Sequence, residues 1–178
     1  MATVDPIRST PTQVRVSVEG RGAANVATGM SVLDHLLALL ARYASFDLAL
    51  EVAPGSPEEE VRAAGRAFGE SLRSPLREEG IRGHGSAVVP SAEALAHVVL
   101  EASDESLLVS NVDLSGARVG GVATDLVDAF LRELVEGASL TLHVRLIDGS
   151  DTHHVLEAIF KALGVALAQA CRPRRRKE

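Results

Sequence analysis

The feature that most constrains this chain is a repeat. "ASFDLALEV" (44–52) and "ASLTLHVRL" (138–146) are parallel stretches 94 residues apart, and each alternates apolar and polar positions as a half-buried strand does. Before each lies a helical period, with Val32, Leu33, Leu36, Leu37 and Leu40 in the first copy and Leu126, Val127, Phe130, Leu131 and Leu134 in the second. Ser31 and Thr124 stand at the N-cap positions. After each strand comes a second helical stretch, "SPEEEVRAAGRAFG" (56–69) and "DTHHVLEAIFKALG" (151–164), with Gly69 and Gly164 95 apart. Upstream, "TQVRVSVEG" (12–20) pairs with "AHVVLEASD" (96–104), and "ANVATG" (24–29) with "SLLVSNVDL" (106–114).

Each half therefore reads strand, strand, helix, strand, helix. The predicted class is α+β, with two duplicated half-domains at 1–83 and 84–171 and four helices packed with two sheets. Pro90 and the glycines at 80, 83 and 85 punctuate the junction. A chain of 178 residues, 46% hydrophobic, is long enough to bury a substantial interior between such layers.

Charge narrows the partners. A net charge of −6 opposes nucleic-acid binding, and the one dense basic run is "RPRRRKE" at the end. That run, 172–178, reads as a solvated, disordered tail, with a phosphate-binding arm as the alternative. The lone cysteine, Cys171, has no internal disulfide partner and suits a reducing compartment. No apolar run reaches membrane-spanning length and no leader pattern opens the chain, so the expected location is the cytoplasm.

The two copies diverge where chemistry would sit. His153 and Glu157 are four apart on a predicted helix and face one way, while His154 is turned from His153 by about 100°. The i, i+4 pair can chelate one ion, leaving His154 for another ion or another wall of the site. Further ligands must come from elsewhere, and His143 on the preceding strand and His35 in "LDHLL" are the candidates. Imidazole and carboxylate together suit manganese, zinc, iron, copper or nickel. The bland alternatives are a polar first turn for the His-His pair and satisfied boundary histidines for His35 and His97. Lys161 continues the face of Glu157, either as an ion-pair partner or as an anion contact beside a metal.

"TGMSVLDHLLALLARYASFDL", "GIRGHGSAVVPSAEAL", "LTLHVRL" and "HHVLEAIFKAL" together resemble the imidazoleglycerol-phosphate dehydratase family over nearly the whole chain. The resemblance implies a large homo-oligomer built from trimers. It also implies sites at subunit interfaces where manganese holds the substrate imidazole while water leaves the side chain. Position by position, it places metal ligands at His35, His143, His153, His154 and Glu157, a phosphate contact at Lys161, and acid–base roles at Glu157 and Glu93. It also marks departures. Where the family repeats His-His-x-x-Glu, this chain has Glu58, Glu59 and Arg62. Family arginines that contact phosphate fall on Gly83 and Glu105, an N-terminal glutamate on Pro11, and an aspartate on Ala92. From these losses the expected activity alone is weak or absent. The alternatives are a non-catalytic scaffold, or a subunit completing sites with a full paralogue.

Overall fold

A computed structural model describes residues 11–113, 118–119 and 122–176. In chain order the elements are β1 (Gln13–Ser17), β2 (Ala24–Ala27), α1 (Ser31–Ala44), β3 (Asp47–Glu51), α2 (Pro57–Arg73), β4 (His84–Ser91), β5 (Ala94–Ala102), β6 (Leu107–Ser110), β7 (Arg118–Val119), β8 (Val122–Ala123), α3 (Asp125–Ala138), β9 (Leu140–Asp148) and α4 (Thr152–Ala170). The first sheet runs β1-β3-β2 and the second β4-β5-β9-β6; β7 and β8 make a separate small ribbon.

The two larger sheets share one pairing pattern. In the first half β3 pairs antiparallel with β1 and parallel with β2; in the second, β9 pairs antiparallel with β5 and parallel with β6. Both helices that precede the central strands end on a serine in left-handed conformation, Ser45 and Ser139, each at φ 55° and 94 residues apart. Helices α1 and α2 cover the first sheet and α3 and α4 the second, while α1 packs on α4 and α2 on α3, so the helices fill the space between two sheets. All four phenylalanines, Phe46, Phe68, Phe130 and Phe160, are fully buried there, with the Phe130 and Phe160 rings 5.8 Å apart.

Three local expectations change. The 84–91 stretch, read as a junction because of Gly85 and Pro90, is the edge strand β4, and an edge is where a proline costs no ladder bond. Gly85 is needed there, since a Cβ would lie 2.0 Å from the Ala166 carbonyl oxygen of α4. The N-cap of α1 is Met30 rather than Ser31, and Asp34 of its first turn instead accepts from the Thr28 amide at 2.9 Å. Finally, the first residues of the basic terminus are held: the Arg82 amide donates to Arg172 and the Arg174 amide to Gly80. Cys171 is half-buried, and burial pushes its thiol up to about 11, far from thiolate reactivity.

Both helix–helix contacts depend on equivalent glycines. A Cβ on Gly69 would meet the Leu134 carbonyl oxygen at 2.4 Å, and one on Gly164 would meet that of Leu40 at 2.4 Å. Backbone cannot yield as a side-chain tip can, so the helices would have to separate. Gly69→Ala and Gly164→Ala should each lower stability by about 1–3 kcal/mol, read from denaturant unfolding midpoints. Unchanged midpoints would mean the close approach is not required.

Candidate metal centre

The contact between α1 and α4 brings two repeat halves to one point. The Nε2 of His35 lies 3.2 Å from Glu157 Oε1, and the Nε2 of His153 lies 2.7 Å from the same oxygen. The His35 and His153 rings stack, with centroids 5.9 Å apart and planes inclined by 14°. Among the described residues, these three form the one group of His, Cys, Asp or Glu able to offer three ligand atoms, all within 4.8 Å of one another. Two bonds of about 2.1 Å to a shared ion span at most about 4.2 Å, so side-chain adjustments of a few tenths of an ångström close the shell.

The carboxylate is fixed from beneath. Glu157 Oε2 accepts from the Ser91 hydroxyl at 2.7 Å, and that oxygen in turn accepts from Lys161 Nζ at 3.2 Å. Ser91 is 5% exposed and the Glu157 side chain 17%, whereas the His35 and His153 side chains are nearly half exposed at the rim. The donor set thus opens outward from a held base. Burial pushes the Glu157 carboxyl up, but the Ser91 and His35 hydrogen bonds and the neighbouring imidazoles outweigh it and leave the group below its ordinary value. An ionised carboxylate beside two imidazoles is the protonation state a cation requires. Lys161 also stands 5.5 Å from the Tyr43 ring centroid.

His154 is turned away, as its place on the helix predicts. Its Nδ1 lies 2.6 Å from Glu93 Oε2, while Glu93 Oε1 accepts from the Asp151 amide at 3.0 Å. Asp151 caps α4 by accepting from the His154 amide at 3.1 Å. Glu93 follows Ala92, which turns the β4–β5 hairpin at φ 49° and aims the carboxylate at the start of α4. The Asp151 amide, with the His154 contact, holds Glu93 down to about 2; the Glu93 hydrogen bond raises His154 above its ordinary value. Glu93 is therefore tied to His154 and not to the three-ligand group.

His143 does not join either pair within one chain. On β9, Leu140, Leu142 and Val144 are buried against the helices, so alternation turns His143 to the exposed outer face beside Val99 and Val109. His97 lies on that face too, 2.8 Å from the Ser86 hydroxyl, which fits the satisfied-histidine alternative. Ser91 and Tyr43, unremarked in the sequence, are brought in by packing.

The first repeat fills the equivalent place differently. Shifted back by 95 residues, His153, Glu157 and Lys161 become Glu58, Arg62 and Arg66. There Arg62 bonds Glu58 at 3.0 Å and approaches Glu133 of α3 at 3.5 Å, and Arg66 bonds Glu133 at 2.9 Å. A guanidinium stands where the other half offers a carboxylate, so these residues do not fit a second ion.

The His154–Glu93 pair yields a prediction. A raised imidazole stabilises the fold below its ordinary 6.5 and loses that contribution as pH rises through the folded value. A depressed carboxyl contributes above 4.5 and loses it as pH falls towards about 2. The pair is therefore most stabilising between those two ordinary values. Glu93→Gln should move the His154 midpoint down towards 6.5 in an NMR titration; an unmoved midpoint would show that Glu93 does not control it.

Comparison with known proteins bears on the sequence and the fold. The family model described as imidazoleglycerol-phosphate dehydratase matches residues 28–167. An imidazoleglycerol-phosphate dehydratase of Syntrophobacter fumaroxidans is 43% identical over 176 residues, covering 96% of this chain and 89% of its own length. That of Desulforudis audaxviator is 38% identical over 169 residues, covering 93% and 86%. The crystal structure of the Staphylococcus aureus enzyme superposes with a TM-score of 0.84 at 32% identity, covering 92% of this chain and 94% of that one. The Pyrococcus furiosus structure, in complex with (S)-C348, gives 0.79 at 26%, covering 97% and 94%. The family model over most of the chain and these relatives together show that the chain belongs to the imidazoleglycerol-phosphate dehydratase family.

Proposed function

We propose that this protein carries one manganese-binding cluster of a hydro-lyase of histidine biosynthesis, and that turnover of imidazoleglycerol phosphate by the chain alone is weak. The observation that carries this reading is the convergence of His35, His153 and Glu157 on one point, with Ser91 and Lys161 beneath. Two imidazoles and a carboxylate are a donor set that manganese accepts. When bound, the ion supplies Lewis acidity that stabilises charge developing on a substrate imidazole as water is lost.

The chain's own residues divide the remaining work. Ser91 keeps Glu157 Oε2 engaged, so Oε1 stays pointed at the imidazole pair. Glu93 takes the Nδ1 proton of His154 in a hydrogen bond, which leaves Nε2 free to bind an ion or carry a proton. The Asp151 amide and the His154 contact hold the Glu93 carboxyl well below the usual carboxylate range, so it stays ionised near neutrality and orients His154. Lys161, engaged by Ser91, has less freedom to grip a phosphate, and the two arginine positions are Gly83 and Glu105. A small phosphorylated substrate is oriented by such contacts, which is the reason for weak turnover. His143, on the outer face, reaches a cluster only across a subunit boundary; a cytoplasmic homo-oligomer built from trimers provides one.

A second reading is a partner subunit that lends the second-repeat cluster to a complete paralogue. It is favoured by the losses lying outside the second-repeat motif, among them the α2 positions where ion pairs replace ligands. Replacing Glu58 and Glu59 with His and Arg62 with Glu in one variant tests the primary reading. Bound manganese per chain should rise, while turnover of imidazoleglycerol phosphate stays weak because the phosphate contacts at positions 83 and 105 are still missing. No rise in bound manganese would contradict it. Ser91→Ala should weaken manganese binding by about 10–100-fold, as loss of a group behind a ligand does; unchanged affinity would remove Ser91 from the account.

A further inference from the structure

We propose that Tyr43 is a positioning residue of the metal centre: its ring and the Ser91 hydroxyl hold the Lys161 ammonium between them, and that ammonium keeps Ser91 on Glu157. Lys161 Nζ lies 5.5 Å from the Tyr43 ring centroid and 3.2 Å from Ser91 Oγ, and Ser91 donates to Glu157 Oε2 at 2.7 Å. Tyr43 is eight residues beyond His35 on α1, and Lys161 eight beyond His153 on α4. The contact therefore stands about two helical turns from the stacked imidazoles, along the same pair of helices.

Two observations set this ring and this cation apart. Val88, Val99, Leu107 and Ile147, the other large apolar residues exposed among those described, all lie on strands, whereas Tyr43, 39% exposed, is on a helix. A ring left that open gains little from burial, and a cation over its face gives it a specific contact instead. The cation, for its part, has no counter-charge. Glu157, one turn before Lys161, is engaged by His35, His153 and Ser91, and among the described residues no carboxylate lies within ion-pair distance of Nζ. Its holders are a hydroxyl and a ring, both neutral.

The spacing of α1 and α4 sets this contact. Gly164, three residues beyond Lys161, packs against the backbone of Leu40 and Ala44, which bracket Tyr43. A lysine on its long, flexible stem would swing widely if one hydroxyl alone held it. The ring adds attraction without neutralising the charge, so the ammonium is both placed and available to a substrate anion. Its bond to the Ser91 oxygen also polarises the hydroxyl that donates to Glu157. Only this consequence at the metal centre rests on the manganese reading above; the Lys161 contact itself needs no ion.

The sequence supplies its own reporters: Tyr43 is the single tyrosine in a chain without tryptophan, and Lys177 is the one other lysine. Limited acetylation of the whole, metal-free chain, read by mass spectrometry, gives the rate at Lys161 relative to Lys177. Tyr43→Leu should raise that ratio about two- to tenfold, and Tyr43→Phe, which keeps the ring face, should leave it near the parent value. Lys161→Met keeps the bulk and removes the charge; it should change the near-ultraviolet circular dichroism of the tyrosine, and it serves if Tyr43→Leu does not fold. A ratio unmoved by Leu, a Phe variant as reactive as the Leu variant, or a tyrosine band indifferent to the lost charge would overturn the proposal. Manganese affinity should fall in Tyr43→Leu, by less than in Ser91→Ala. Unchanged affinity would cut Tyr43 from the metal centre. No manganese binding by the parent protein would instead contradict the manganese reading, with the acetylation ratio still deciding whether Tyr43 holds Lys161.

Discussion

The close approach of α1 and α4 is the constraint on which the candidate site rests. Gly164 lets the helix carrying His153 and Glu157 settle against the Leu40 backbone, and only at that separation does His35 reach Glu157 Oε1 at 3.2 Å. Phe160 and the buried residues around it hold the same helix from the other side. Rigidity matters because a metal shell of three side chains tolerates little error in position. The stability of the helix layer and the chemistry of its rim therefore share one cause.

The two halves differ most in the side chains they turn outward. The α2–α3 contact uses the equivalent glycine against the equivalent leucine, so the scaffold of the first half is intact. What differs is the outward side chains. His153 and Glu157 correspond to Glu58 and Arg62, and Ala129 stands in the place of His35. Arg62 and Arg66 neutralise Glu58 and Glu133, giving an internally satisfied, exposed ion-pair ladder with nothing left to offer a cation. Such pairs contribute little to stability, and the packed glycines and phenylalanines beneath them carry the fold.

How much of this was legible in the sequence follows from which interactions are local. The helices and central strands were readable because their periods lie within a dozen residues, and the repeat raised the signal by presenting it twice. β4 was not, because Gly85 and Pro90 act as breakers in isolation and become acceptable only on a sheet edge beneath α4. The pairing of His153 with Glu157 followed from helical spacing, and so did the separate direction of His154. The outer-face position of His143 was implicit in the apolar Leu142 and Val144 on either side of it. Ser91 and Tyr43 carried no signal of their own: Ser91 reaches Glu157 across 66 residues, and only the assembled sheet and helix make that contact. The partner of His154 was equally hidden, since Glu93 arrives from a hairpin 61 residues away. The basic terminus read as free because its anchoring is made by backbone groups, which composition does not reveal.

The measurement that tests the central claim most directly is the manganese content of the protein, purified alone and dialysed after exposure to excess Mn²⁺. The account predicts retention of about one ion per chain, lost on His153→Ala, because the second-repeat cluster forms and its first-repeat counterpart does not. Retention of no manganese, or of two ions per chain with Arg62 intact, would contradict it.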